Sequence, residues 1–229
     1  MRWFLDMCII LDYIHEGDNQ NLLTKTINFV DNKKQEKFIL CHYIKEKNIP
    51  KWLNRKRVIF RELLRQIKNS SYKPFTDNEC RDLWPRDKNQ ILKLLSLENT
   101  FKDKTEMIQS FENAYQEIER RIKEFIDKNI DELVIPVNEI DQKLVGCLFN
   151  FLTPNDSDSN TLASAIQEHN IKEISIITAD KKDWTRELLD EVHNDFNLKK
   201  VYVKLPEIRY IQNFNYSKSI FHLFLHNFF

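Results

Sequence analysis

Three aspartates, Asp6, Asp158 and Asp180, each stand where a folded chain would turn a carboxylate outward. Asp180 follows the β-branched run Ile174-Ser175-Ile176-Ile177-Thr178, and Asp6 follows the apolar Trp3-Phe4-Leu5. Such runs read as buried strands, and in open α/β sheets ligands bind at the carboxyl ends of parallel strands. Asp158 belongs to a turn-rich stretch, Thr153 to Asn160, at or near the start of a helix carrying Leu162, Ala163, Ala165 and Ile166. Taken singly, each Asp is equally a turn former or helix N-cap. Gathered together they become something else. Three acids within about 5 Å repel by roughly 3 kcal/mol per pair at an effective dielectric near 20. A proton, a basic partner or a divalent cation relieves that repulsion. Oxygen ligands suit Mg²⁺ or Mn²⁺, and no Cys or His spacing here fits zinc. A hard cation on carboxylates, with positions open to water and phosphate, is equipped for phosphodiester hydrolysis.

Composition narrows the field. The 229 residues suffice for one well-buried core and at most two small domains. Lys plus Arg and Asp plus Glu both number 35, so any electrostatic site must be local. Only Gly17 and Gly146 are present, which excludes a P-loop, a dinucleotide-binding turn and a nucleophile elbow. Cys8, Cys41, Cys80 and Cys147 are widely spaced, which fits reduced thiols in cytoplasm. A charge at the sixth residue argues against a signal peptide, and the apolar run Ile220–Phe229 is too short for a membrane span.

The elements that must position the acids alternate. A strand at 3–5 leads into a helix over 7–14 ending near Gly17, and a second helix covers 21–30. Phe38–Ile44 reads as a strand entering a helix that carries Glu46, or as helix throughout. Residues 51–73 hold eight basic side chains against Glu62 alone, a balance of +7, with Trp52, Phe60 and Tyr72 interleaved. That pattern suits a nucleic-acid backbone with exposed bases, and it equally suits the solvated face of a helix whose core stripe is Val58, Ile59, Leu63, Leu64 and Ile67. Helices at 91–97 and 104–128 complete a helical insertion. Then follow a strand at 133–137, a helix at 139–151 capped by Asn138, the helix after Asp158, the strand to Thr178, a helix with Leu188, Leu189 and Val192, and a last strand at 201–205. Alternation of this kind implies a wound, mostly parallel sheet.

With the acids and strands in this order, the chain resembles the PIN-domain nucleases. Phe4-Leu5-Asp6 looks like their first strand and its metal-ligating Asp; Asp158-Ser159-Asn160-Thr161-Leu162-Ala163 is similar to their helix start, and Thr178-Ala179-Asp180-Lys181-Lys182-Asp183-Trp184 to their acidic turn. The resemblance implies a PIN-like (Rossmann-like) three-layer α/β fold over 1–50 and 131–210; residues 51–130 are a helical insertion outside a minimal PIN fold, and 211–229 read as a C-terminal helix docked on the core or a partner. It further implies an Mg²⁺- or Mn²⁺-dependent endoribonuclease acting mainly on single-stranded RNA, toxin-like or RNA-processing. Partners would be RNA or single-stranded DNA, an antitoxin or other protein, or a second copy, with no membrane. The implied ligands are Asp6, Asp158 and Asp180, with Glu46 as the second-strand acid, Glu62 competing for that role, and Asp156 replacing or assisting Asp158. Thr178 would hydrogen-bond the attacking water or a carboxylate, Asp183 would cap or orient water, and Lys181 and Lys182 would meet phosphate or solvent. Trp184 reads as packed, and His222 and His226 as helix-face histidines. Met7-Cys8 departs from the small polar pair usual after the first Asp. That departure sustains an alternative, a catalytically silent PIN-like module that binds RNA or protein. A receiver-type domain, a third option, would need a Lys after a later strand, and Lys204 falls inside the expected one.

Overall fold

The computed structural model describes residues 1–16, 20–32, 36–69, 71–152 and 155–214. Its first half runs β1 (Arg2–Leu5), α1 (Met7–Tyr13), α2 (Gln20–Asn32), β2 (Lys37–Cys41), α3 (Ile49–Lys68), α4 (Pro85–Leu95) and α5 (Lys104–Asn129). The second runs β3 (Glu132–Val134), α6 (Gln142–Phe151), α7 (Asp156–Ile171), β4 (Ser175–Thr178), α8 (Arg186–Asn194), α9 (Leu198–Val201) and β5 (Glu207–Tyr210).

The five strands form one sheet in the order β3-β2-β1-β4-β5, and every pair is parallel. Helices flank it, as in a three-layer Rossmann-like fold. Every residue of β1 and β4 is buried, the signature of strands covered on both faces. From β1 the chain steps outward through β2 to β3, then returns to lay β4 on the other side of β1. The winding direction reverses between β1 and β4. In open α/β sheets this reversal leaves a crevice at the strands' carboxyl ends.

The chain divides into two compact units, an α/β unit (Met1–Ile49 with the chain from Ile122) and a helical unit (Pro50–Arg121). Within the helical unit, Ile59, Leu63 and Ile67 of α3 pack with Cys80, Leu83, Ile91, Met107 and Phe111. Their spacing on α3 is the i, i+4, i+8 stripe expected of a helix burying one face. No helix among the described residues is long and apolar enough to cross a membrane.

Several local expectations need correcting. Residues 201–205 are not a strand: α9 occupies 198–201, and β5 lies at 207–210, past Pro206. Strand β3 ends at Val134, because Ile135 takes a positive φ of 48° that no ladder accommodates. The cap of α6 is Asp141, which accepts from the Lys143 and Leu144 amides, and Asn138 lies in a 3₁₀ turn. Helix α1 ends at Tyr13, with His15 rather than a glycine in the left-handed region (φ 69°). Gly17, the expected helix at 215–229, His222 and His226 lie outside the described residues.

Candidate functional site

Register brings the first two acids together. Leu5 pairs with Ile177 across the parallel β1–β4 ladder, and the Asp6 amide continues it by donating to the Ile177 carbonyl at 3.1 Å. Asp6 is thereby set opposite Thr178, whose hydroxyl donates to Asp6 Oδ2 at 2.7 Å across a sequence separation of 172 residues. The same hydroxyl accepts from the Asp180 amide at 2.9 Å. Thr178, fully buried, therefore ties the two strand-end aspartates to one oxygen. Asp6 occupies the N-cap position of α1, yet its carboxylate makes no capping hydrogen bond. It turns toward the neighbouring strand instead.

Cys8 completes this corner. Its thiol donates to Asp6 Oδ2 at 2.9 Å and accepts from the Ala179 amide at 3.1 Å. Burial and the Asp6 charge push the thiol well above its ordinary value, so it remains a neutral donor. Burial also raises the Asp6 carboxyl, opposed by the hydrogen bonds from Cys8 and Thr178 and reinforced by the Asp180 charge. Asp180 is held by an Asx turn, its Oδ1 accepting from the amides of Lys182 and Asp183 at 2.9 Å each.

Asp158 arrives from α7. It lies in the first turn, and the cap is Asn155, whose side chain accepts from the Ser157 amide and donates to Asp158. A helix N-terminus favours an ionised carboxylate by typically about 0.3–1 kcal/mol. Here that effect loses. Burial first, then the charges of Asp6, Asp180 and Asp183, push the Asp158 carboxyl up to about 7, against a hydrogen bond from the Trp184 side chain. Four aspartates therefore share one field, and Asp183 is among them. Trp184 is packed as expected, at 1% exposure, while also serving a polar end to Asp158. Its carbonyl accepts from Tyr210 Oη at 2.8 Å, which ties the acidic turn to β5.

The remaining acids go elsewhere. Glu46 is exposed, in the π-helical turn Ile44–Asn48, and its Oε1 contacts His42 Nδ1 at 2.7 Å. Asn48 of that turn is buried and donates to Thr161 of α7 at 3.2 Å. Asp156 is exposed, and its charge is felt by Tyr43 just after β2. Glu62 belongs to the helical unit and is fully buried. It accepts from Gln66 Nε2 (2.7 Å), Tyr72 Oη (2.9 Å), the Phe75 amide (2.8 Å) and the Cys80 thiol (3.3 Å), a structural clasp. Lys181 reaches Asn213 Oδ1 at 3.1 Å, and Lys182 is exposed.

Comparison with models of known families, with curated proteins and with solved structures found no match. The site therefore speaks through its own chemistry. Among the described residues no three His, Cys, Asp or Glu side chains form a ready-made metal cage. The donors nevertheless suit a hard cation in kind: all are carboxylate oxygens, and Asp158 is held at its edge of ionisation by the others. One oxygen each of Asp6, Asp158 and Asp180 is oriented by protein hydrogen bonds. A cavity of about 340 Å³ is lined by Asp183, Glu187 and Glu191 with Lys182, Thr185, Phe151, Leu152 and Leu188, and includes none of Asp6, Asp158 and Asp180. That is within the size range of small-ligand pockets, large enough for a nucleotide. Asn48, Asp183 and Trp184 were the parts hardest to assign from sequence; only the Asp183-Trp184 pair carries a local signal, its closeness to the Asp180 turn.

Proposed function

We propose that the chain is a metal-dependent endoribonuclease of the PIN-like type, which hydrolyses phosphodiester bonds in single-stranded RNA. Asp6, Asp158 and Asp180 would hold Mg²⁺ or Mn²⁺. The observation that carries this reading is geometric: at the sheet's winding reversal the β1–β4 register sets Asp6 opposite Thr178, whose one hydroxyl binds both Asp6 and the Asp180 amide, with Asp158 in their field. Such an arrangement is relieved by a counter-charge, and the described residues facing it supply hydrogen bonds from Thr178, Cys8, Asn155 and Trp184 rather than a cation. Once bound, the metal would activate water and neutralise charge building on the phosphate. Thr178 aims Asp6, the Asx turn aims Asp180, and Asn155 with Trp184 aims Asp158.

A second reading, a silent PIN-like binding module, draws support from Glu46: its carboxylate is paired with His42, and it is not among the charges acting on Asp158. The deciding experiment is incubation of mixed-sequence RNA and single-stranded DNA with the protein in Mn²⁺ or EDTA, beside Asp180→Asn. Manganese-dependent RNA cleavage that Asp180→Asn abolishes supports the nuclease. RNA left intact in Mn²⁺ by a folded wild-type protein overturns it.

A further inference from the structure

The helical unit contains a surface that the acidic site does not use. Asp87 is buried, and its Oδ2 accepts from Arg55 Nε at 2.9 Å, Arg55 Nη2 at 2.6 Å and the Trp84 amide at 2.8 Å. One carboxylate thus fixes both a guanidinium and the backbone of a tryptophan. The result is a stack: Arg55 Cζ lies 3.8 Å from the Trp84 ring centroid, and Arg86 Cζ lies 4.6 Å from it. Trp84 nonetheless stays 54% exposed. On the adjoining turn of α3, Lys56 sits 5.1 Å from the Trp52 ring, and residues 52, 55 and 56 share one helix face. Lys88 lies 5.5 Å from the Phe75 ring close by in sequence.

We propose that this face, centred on Trp84 and Trp52 with Arg55, Lys56 and Arg86, binds single-stranded nucleic acid by stacking its bases. The proposal rests on the nuclease reading for the choice of RNA as natural ligand, while the surface itself is testable without cleavage. Exposed apolar residues occurring singly need no explanation. Here, though, two aromatic rings are each backed by cations, and the Trp84 backbone is anchored to Asp87 of a part-buried ion pair. Charge points the same way. Residues 50–121 contain 16 basic and 11 acidic side chains, a net +5, whereas the rest of the chain contains 19 and 24, a net −5. Five of the cations are spoken for: Arg55 pairs with Asp87, Arg61 with Glu79, Arg65 with Asp77, and Arg120 and Arg121 with Glu117. Phosphate contact therefore falls to Arg86 and Lys88, and stacking carries the rest. Aromatic and guanidinium planes accept any base, so the surface reads strandedness rather than sequence. A duplex hides its base faces and gains little from such a platform.

The test uses the full chain in EDTA, which removes metal-dependent cleavage, with a fluorescein-labelled mixed-sequence 12-nucleotide RNA followed by anisotropy. Trp84→Ala should weaken binding about tenfold, in line with losing one base stack. Trp84→Phe, which keeps an aromatic face, should retain most of it. Arg86→Ala should reduce the slope of log affinity against log salt by about 0.7, the loss of one phosphate contact on a single strand. Equal affinity in wild type and folded Trp84→Ala would overturn the proposal, as would a preference for duplex RNA or no RNA binding by wild type. Tight, Trp84-dependent binding together with absence of cleavage in Mn²⁺ would sink the nuclease reading and leave this surface standing.

Discussion

The two units each bury a carboxylate and treat it in opposite ways. Glu62 in the helical unit is fully buried; desolvation pushes it up, but hydrogen bonds from the Phe75 amide, Gln66, Tyr72 and Cys80 outweigh that and leave it below its ordinary value. Asp6 in the α/β unit is 8% exposed, has two side-chain donors, and still ends above its ordinary value because burial and Asp180 prevail. Asp158 goes further, to about 7. A carboxylate that serves structure is surrounded until it is content to be ionised. Those at the winding reversal lie in one another's field and receive their hydrogen bonds from neutral groups, a condition a divalent cation would relieve.

That contrast has four measurable consequences. The largest concerns activity. Asp6→Asn or Asp180→Asn should lower manganese-dependent RNA cleavage on the order of a hundredfold or more, since a metal supplies several kcal/mol of charge stabilisation. Glu62→Ala, by contrast, should act on stability, costing roughly 3 kcal/mol in denaturant unfolding because it strands the Phe75 amide and the Tyr72 hydroxyl. If Glu62→Ala instead abolished Mn²⁺ binding in a folded protein, the structural role assigned to Glu62 would be wrong. Thr178→Val removes the donor shared between Asp6 and the Asp180 amide. A loss of roughly 1–2 kcal/mol is expected, with weakened Mn²⁺ affinity as the readout that separates positioning from packing.

The last consequence is a dependence on pH. Asp158 has a folded value of about 7 against an ordinary 3.8, so the folded chain holds a proton there that the unfolded chain has released. That contribution is full below about pH 4 and is lost as pH rises through 7. Without metal, melting should therefore fall between pH 5.5 and pH 8, Asp158→Asn should flatten the fall, and Mn²⁺ should reverse it at pH 8. Glu62 has the opposite sign: its folded value lies below 4.5, so its contribution is present above that and is lost as pH drops. Thermal melts across pH with Asp158→Asn and Glu62→Gln separate the two limbs.

Much of the frame was legible because it depends on short-range signals. The apolar runs before Asp6 and Asp180 are buried central strands, and parallel winding then forces their ends together. Strand β5 was missed for the converse reason. It is an edge strand, Glu207-Ile208-Arg209-Tyr210, whose charges suit an edge and conceal its pattern, while the apolar alternation at 201–205 imitates a strand. Glu46 follows β2 as the sequence suggests, and its carboxylate contacts His42, one helical turn earlier. The basic balance of 51–73 was read correctly as a sum, yet Asp77, Glu79 and Asp87 cancel much of it in the fold. Arg55 and Asp87 lie 32 residues apart, and no local pattern announces a pair at that distance.

The central claim is that the aspartates at the winding reversal form a site for a hard cation. Titration of the wild-type chain with Mn²⁺ at pH 8, following loss of the free-ion paramagnetic signal, measures this without any substrate. Binding of at least one Mn²⁺ per chain, lost in Asp6→Asn and Asp180→Asn but kept in Glu62→Gln, is the predicted result. Absence of binding at millimolar Mn²⁺, or equal binding by wild type and both aspartate variants, would contradict it.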